Sequence, residues 1–257
     1  MADASDLEKT IPTNLRLLML LEEIARVGSP ITPTVANEAL GLPKPTIHRL
    51  FHRLEEQGFL QRDIDGRSYS AGQRLRKMSL NVLSSTRIRT VRLSVLNAVN
   101  EEIGETCNIA APDRTGMVYL ERVETKWPLR IQLPIGSTVP FHCTASGKLY
   151  LSSLEPRLLT MYLRTAVLEF QTAQTLTDPD AVRHAIEEIR ENGYATDNEE
   201  FMDGMVAIAV PIQDDLGRLM STLSVHAPIQ RKSMADLIGH LDRLRAAAID
   251  LSKLVLR

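Results

Sequence analysis

Residues 42–62 read LPKPTIHRLFHRLEEQGFLQR. Ile47, Leu50, Phe51 and Leu54 recur at i, i+3, i+4 and i+7, the stripe of a helix laid on a core. The rest of the surface carries Lys44, Thr46, His48, Arg49, His52 and Arg53, and no acid comes before Glu55. An ordinary surface helix mixes both signs, so a one-signed face points to an anionic partner.

The flanking residues give that helix a context. Asn14 to Val27, NLRLLMLLEEIARV, is strongly apolar and helical, and Gly28 is a natural stop. Thr32 followed by Pro33 reads as an N-cap with proline at the first helical position, opening a short helix through Leu40. Gly41-Leu42-Pro43 then turns the chain into the basic helix, where Pro45 is tolerated in the first turn. Downstream, Phe59–Arg62 and Arg67–Ser70 are short strand-like runs around Asp63-Ile64-Asp65-Gly66, a hairpin signal. Three helices, a tight glycine turn and a hairpin define a winged helix-turn-helix, with residues 45–57 as the recognition helix.

Charge is distributed to match. The net charge of −2 hides a split: residues 44–100 hold 11 Lys/Arg against 4 Asp/Glu, and residues 101–257 hold 16 against 22. One part of the chain is suited to a polyanion and the rest is not. With 257 residues, 44% hydrophobic, there is material for two modest domains. No apolar run is long enough for a membrane span. The polar N-terminus MADASDLEKT lacks a signal-peptide core, which argues for the cytoplasm. Cys107 and Cys143 stand far apart with no CxxC or histidine company, so neither a disulfide nor a metal site is expected, and no cofactor.

Beyond the hairpin, helical patterns run from Gln73 to about Ser84 and from Arg87 to Ile103, with Gly104 as the stop. Strand-like runs follow at Cys107–Pro112, Met117–Val123 and Arg130–Leu133. Helices are expected at Ala145–Ser153, Pro156–Arg164 and Pro179–Asn192. Strands at Met205–Ile212 and Leu219–Val225 flank Asp214-Asp215-Leu216-Gly217, and one last helix runs from about Ser233 to Val255. Strands in meander-like pairs rather than βαβ alternation predict an α+β domain, an antiparallel sheet flanked by helices.

The stretch Gly41–Leu50, with Leu54-Glu55-Glu56-Gln57-Gly58-Phe59-Leu60, resembles the DNA-binding signature of the IclR family of bacterial transcription regulators. Gly104-Glu105-Thr106, Val139–Lys148 and Gly193–Glu200 are similar to that family's effector domain, in the same order and spacing. The resemblance implies a winged helix-turn-helix domain over residues 1–72, a linker helix over 73–86 and a GAF-like effector domain over 87–257. It also implies a homodimer or tetramer on palindromic double-stranded DNA, with a small organic effector and no enzymatic activity. The chain departs from the family pattern at Pro45, where a small hydroxyl residue is common, and at His226, which is serine in some members.

Arg49 and Lys44 are the strongest candidates for DNA contact, since arginine pairs bidentately with guanine and lysine neutralises phosphate. Thr34, Thr46, His48, His52 and Arg53 join them, with Arg67 beside the hairpin turn as a wing contact. The resemblance places the effector lining at Ile131, Ala145, Ser146, Asp197, Ala207, Ser224 and His226. Chemistry agrees in part: Ala145-Ser146-Gly147 opens a helix whose free N–H groups suit an anion. Ser224 and His226 alternate on one strand and share a face. Asp197 would reject a bare anion and accept from a hydroxyl, so a small hydroxy- or oxo-acid fits, and His226 leaves room for an aromatic acid.

Other readings are weaker. His142 and Cys143 point to opposite sides of extended chain, so they read as a loop histidine and a semi-buried cysteine rather than a catalytic pair. Ser146-Gly147-Lys148 lacks the leading glycine of a phosphate loop. Asp197-Asn198-Glu199-Glu200 reads as a solvated turn without a metal ligand partner. Trp127 suits either core packing or a pocket wall, with core the favoured reading. The rival to a regulator is an α+β enzyme or sensor domain fused to an incidental basic helix, and no catalytic constellation favours it.

Overall fold

The computed structural model describes residues 11–63, 66–83 and 86–255. The N-terminal MADASDLEKT, the hairpin-turn residues Ile64 and Asp65, and Ser84-Ser85 at the end of the expected linker helix lie outside the described residues. The chain separates into two compact units, Met1–Val82 and Leu83–Arg257.

In the first unit the order is α1 (Arg16–Val27), α2 (Pro33–Leu40), α3 (Lys44–Glu56), β1 (Leu60–Arg62), β2 (Tyr69–Ala71) and α4 (Gln73–Leu83). Local chemistry sets the ends. Gly28 stops α1 in the left-handed conformation and its N–H returns to the Ile24 carbonyl at 3.2 Å. Thr32 caps α2 by accepting from the Val35 N–H, with Pro33 next. The turn into α3 needs Gly41 at φ +60°. Asn37 clamps that turn: its amide accepts from the Leu42 N–H at 2.9 Å and donates to the Leu42 carbonyl at 2.7 Å.

Leu20 and Ile24, Ala36 and Leu40, and Ile47, Leu50, Phe51 and Leu54 meet in one core. Burying each large side chain contributes about 1.5–3 kcal/mol. Phe51 meets the Tyr69 ring edge-on at 5.0 Å, which ties the hairpin to α3. Ile31 pairs with Tyr69 through two backbone hydrogen bonds of 2.9 Å.

The second unit runs α5 (Thr86–Ile103), β3 (Thr106–Pro112), β4 (Met117–Val123), β5 (Thr138–Val139), α6 (Ala145–Ser153), α7 (Pro156–Thr165) and α8 (Pro179–Asn192). It continues with β6 (Ala195–Asn198), β7 (Met205–Gln213), β8 (Leu219–Pro228), α9 (Met234–Gly239) and α10 (Leu241–Val255). The sheet is antiparallel in the order β5-β4-β3-β8-β7-β6. α5 and α10 pack on one another and on the sheet, and α6 lies across β6, β7 and β8 with α8 against it. Glu121, fully buried on β4, is held by Arg92 at 3.1 Å and Arg89 at 3.2 Å from α5. α6 approaches closely because Gly147 has no side chain. A Cβ there would stand 2.4 Å from the Phe141 backbone.

Three expectations are corrected. Arg130–Leu133 is not a strand: β4 pairs with Thr138–Val139 instead. Pro128 and Pro134, which bracket the run, cannot donate to a ladder. The last helix is two helices, α9 and α10, broken at His240 just after Gly239, a weak helix former. Gly193–Glu200 contains the edge strand β6, too short and polar to announce itself.

Candidate functional site

The outer surface of α3 is the first candidate. Thr34, Lys44, His48, Arg49, His52, Arg53 and Arg67 are exposed and Thr46 is half-buried. Lys44, His48, Arg49 and Arg53 form no side-chain hydrogen bond or ion pair among the described residues. His52 lies 3.3 Å from Glu56 one turn on. Arg62, by contrast, is committed within the unit. It meets Glu55 through two nitrogens at 3.1 and 2.9 Å, and its guanidinium lies 5.0 Å from the Tyr69 ring centroid. The basic surface of α3 is therefore mostly unneutralised, and a rigid core sets its side chains.

The second candidate is the face of the large sheet that α6 covers. Register aligns Asp197, Ala207, His226 and Thr106 on one rung and Ala195, Ala209, Ser224 and Asn108 on the next. Ser224 Oγ and His226 Nε2 stand 3.1 Å apart, so the two side chains share a face as their alternation requires. Tyr119 meets the His226 ring edge-on at 6.3 Å. Thr222, one alternation further along β8, contacts Ser146 Oγ of α6 at 2.9 Å. Ala145, Ser146, Ala207, Ser224, His226, Asp197 and Ile131 are all buried.

Electrostatics follows from burial. Burial pushes His226 down to about 3, with the Arg122 charge adding to the effect, so its ring is neutral near pH 7. Burial and the neighbouring Glu200 push Asp197 up to about 7, against Lys148 and two backbone donors. Those donors are the N–H groups of Glu200 at 2.8 Å and Phe201 at 3.2 Å, both on Asp197 Oδ1. Burial likewise pushes Tyr119 and Cys143 up to about 12. Cys143 stays a thiol and is inert at neutral pH.

Several expectations change here. Glu200 is buried rather than part of a solvated turn, and its carboxylate pairs with Lys148 of α6. Cys143 is fully buried, not semi-buried, and His142 is buried with Nε2 2.9 Å from the Glu169 carbonyl. Trp127 is 58% exposed rather than core, with the Arg231 guanidinium 5.9 Å from its ring. At the head of α6, the Gly147 N–H is already taken by Thr144 Oγ1 at 3.0 Å, and the Ala145 and Ser146 N–H groups have no acceptor among the described residues. Asn108 and Arg122 do not stand out in the sequence. Their one signal is a polar residue inside each apolar strand, TCNIAAP and MVYLERV. Lys148 and Glu200 fall in stretches already singled out, but nothing local pairs the one with the other.

A winged helix with an unneutralised basic helix, joined to an α+β domain with a buried polar face, defines a DNA-binding protein with a second, α+β domain. Residues 15–63 match the IclR helix-turn-helix domain and residues 80–253 match the bacterial transcriptional regulator IclR C-terminal domain. The chain belongs to the IclR family. The probable transcriptional regulator SauR of Cupriavidus necator is 34% identical over 239 residues, covering 93% of this chain and 95% of that protein. The crystal structure of the Thermotoga maritima IclR superposes with a TM-score of 0.62 at 26% identity, covering 94% of this chain and 97% of that one. An IclR homolog from Microbacterium hydrocarbonoxydans, complexed with 4-hydroxybenzoate, shares the fold at a TM-score of 0.60 and 24% identity, covering 93% and 98%. The relatives are named as transcription regulators and repressors, and this chain is a DNA-binding transcription regulator. Among the described residues no helix is long and apolar enough to cross a membrane.

Proposed function

We propose that the protein controls a metabolic operon by binding a palindromic operator as a homodimer or a pair of dimers, under the control of a small organic acid. The observation that carries this reading is the exposed, side-chain-unpaired set Lys44, His48, Arg49 and Arg53 on one helix of a rigid winged-helix core. Arg49 reads a base edge and Lys44 neutralises phosphate. Thr34, Thr46, His48, His52 and Arg53 flank them, and Arg67 meets the backbone beside the wing. The DNA-binding domain extends over 1–72, the linker helix over 73–86 and the effector domain over 87–257.

The effector lies on the α6-facing side of the sheet, lined by Ile131, Ala145, Ser146, Asp197, Ala207, Ser224 and His226. Support comes from their common burial, from the Ser224–His226 contact and from the two N–H groups at the head of α6 without an acceptor among the described residues. A hydroxy-, oxo- or aromatic acid suits those groups, and 4-hydroxybenzoate in a protein of the same fold has that chemistry. The effector acts by binding the DNA-competent and DNA-incompetent arrangements unequally.

The test is selection of binding sites from a random-sequence duplex library with the full-length protein. The expected result is one enriched palindrome with half-sites about one helical turn, or a multiple, apart. Recovery of no preferred sequence would overturn the reading.

A further inference from the structure

Two polar clusters on the α6-facing side of the sheet stand at opposite ends of a floor of small side chains, and all their members but Asp197 lie outside the lining named above. At one end Asn108 of β3 is fully buried. Its Oδ1 accepts from Arg122 Nη1 at 2.9 Å, while its Nδ2 has no partner among the described residues. The Arg122 side chain is 5% exposed and shares Glu124 with Arg130, so two guanidiniums face one carboxylate. Its remaining nitrogen donates to the Ile131 carbonyl. A buried amide donor without an acceptor is costly, and beside a cationic excess it suits an anion.

The other end has the opposite need. Glu200 is buried, with Oε1 on Lys148 and Oε2 without a partner among the described residues. Asp197 adds a second buried carboxylate, whose Oδ1 serves the backbone. Two carboxylates share one ammonium group here, so this end takes a donor and repels a further anion. Between the ends, β3, β8, β7 and β6 make three inter-strand steps of about 4.8 Å each, measured along the sheet. The floor across them is Ser224, Ala209 and Ala207. His226 is neutral and supplies hydrogen bonding without charge.

We propose that these two ends fix both the class and the direction of the ligand. It is a small monocarboxylic acid whose carboxylate lies at Asn108 and Arg122 and whose far end carries a hydroxyl that donates to Glu200 and Asp197. The proposal rests on the effector-face reading above and adds Asn108, Arg122 and Glu200 as the residues that choose among acids. A dicarboxylate is rejected at Glu200, because its second anion meets the acidic end. An unsubstituted acid binds less well, because it leaves Glu200 Oε2 unpaired.

The experiment is calorimetric titration of the full-length protein with three matched straight-chain series: ω-hydroxy acids from glycolate to 6-hydroxyhexanoate, the unsubstituted acids, and the dicarboxylates. The best hydroxy acid should bind roughly tenfold or more tighter than its two counterparts. Asn108→Asp keeps an oxygen for Arg122 but replaces the free donor with an acceptor, and should weaken hydroxy and plain acids alike. Asn108→Ser, smaller and neutral, should do the same if the first variant folds poorly. Glu200→Gln keeps an oxygen for Lys148 and should erase the hydroxyl advantage, so that a hydroxy acid and its plain counterpart bind alike. Dicarboxylates that bind as well as hydroxy acids, or a series in which no hydroxy acid binds, would overturn the proposal. An acid sensitive to Ser224→Ala yet indifferent to changes at Asn108 and Glu200 overturns the polarity alone. An acid indifferent to all three overturns the effector face itself.

Discussion

Ser224 Oγ and His226 Nε2 stand 3.1 Å apart on one face of β8, both buried beneath α6. The contact ties a neutral imidazole to a hydroxyl in the middle of a face whose ends are oppositely charged. A histidine held this way cannot take up a proton without losing burial energy. Asp197, three strands of sheet away from Asn108 and on the same rung as His226, is biased the other way, towards keeping its proton.

These two residues give opposite pH dependences of stability. The folded His226 titrates at about 3, below its unfolded value of about 6.5. The unfolded chain binds that proton more readily, so this contribution is lost as pH falls from about 6.5 towards 3. The folded Asp197 titrates at about 7, above its unfolded value of about 4. Its contribution is fully present below pH 4 and is lost as pH rises to 7, by on the order of a few kcal/mol. Urea denaturation of Asp197→Asn against the parent protein isolates the second effect. The difference in stability should favour the parent most at low pH and shrink steadily up to neutral pH. A difference that does not vary with pH would show that Asp197 titrates normally.

Gly147→Ala should destabilise the second unit. The added Cβ would meet the Phe141 Cα and carbonyl oxygen at 2.4 Å and the Pro140 carbonyl at 2.6 Å, all backbone atoms that no rotamer change can move. Overpacking of this kind costs about 1–3 kcal/mol, and the shift of α6 would also disturb the Thr222–Ser146 contact. Chemical denaturation measures the first effect, and acid binding by the folded variant measures the second. An alanine variant as stable as the parent would mean that α6 stands off further than its packing on the sheet implies.

The winged helix was legible because its signals are local. Thr32-Pro33 and Gly41 mark both ends of α2, and the apolar stripe of α3 needs no distant partner to be read. The strand boundaries of β4 and the helix boundaries of α6 and α8 followed for the same reason. β6 was not legible, because a four-residue polar edge strand carries no period. The burial of Glu200 depends on Lys148 in α6, and that of Asn108 on Arg122 in the neighbouring strand. Pairing across the sheet decides which polar residue in an apolar run faces the site, and one sequence does not contain that pairing.

Self-association should involve α1. Leu15, just ahead of that helix, is 41% exposed, Leu18 and Met19 on it are 59% and 37% exposed, and α4 exposes Met78 and Val82. Sedimentation at micromolar concentration should give a dimer or tetramer. Leu18→Glu should shift the distribution towards monomer without lowering the stability of the winged-helix core, since the side chain contributes little to it. A monomeric parent protein would refute the symmetric-operator reading, because two half-sites need two linked recognition helices.

Arg49 and Lys44 should separate base reading from phosphate binding. Both are exposed and neither has a side-chain partner among the described residues, so replacing them weakens DNA binding with little effect on folding. Arg49→Ala should weaken binding to the selected palindrome by roughly 1–3 kcal/mol and relax base preference at one position in each half-site. Lys44→Ala should weaken selected and random duplexes alike and make the salt dependence shallower by about 0.9 for each phosphate that is no longer neutralised. Arg62→Ala is the internal control. Its guanidinium is already engaged by Glu55 and Tyr69, so the change should loosen the hairpin and lower affinity without altering base preference. Fluorescence anisotropy on labelled duplexes, repeated over a salt series, reads all three outcomes. Equal weakening on palindrome and random DNA for Arg49→Ala would make Arg49 a backbone contact and move base reading elsewhere on α3.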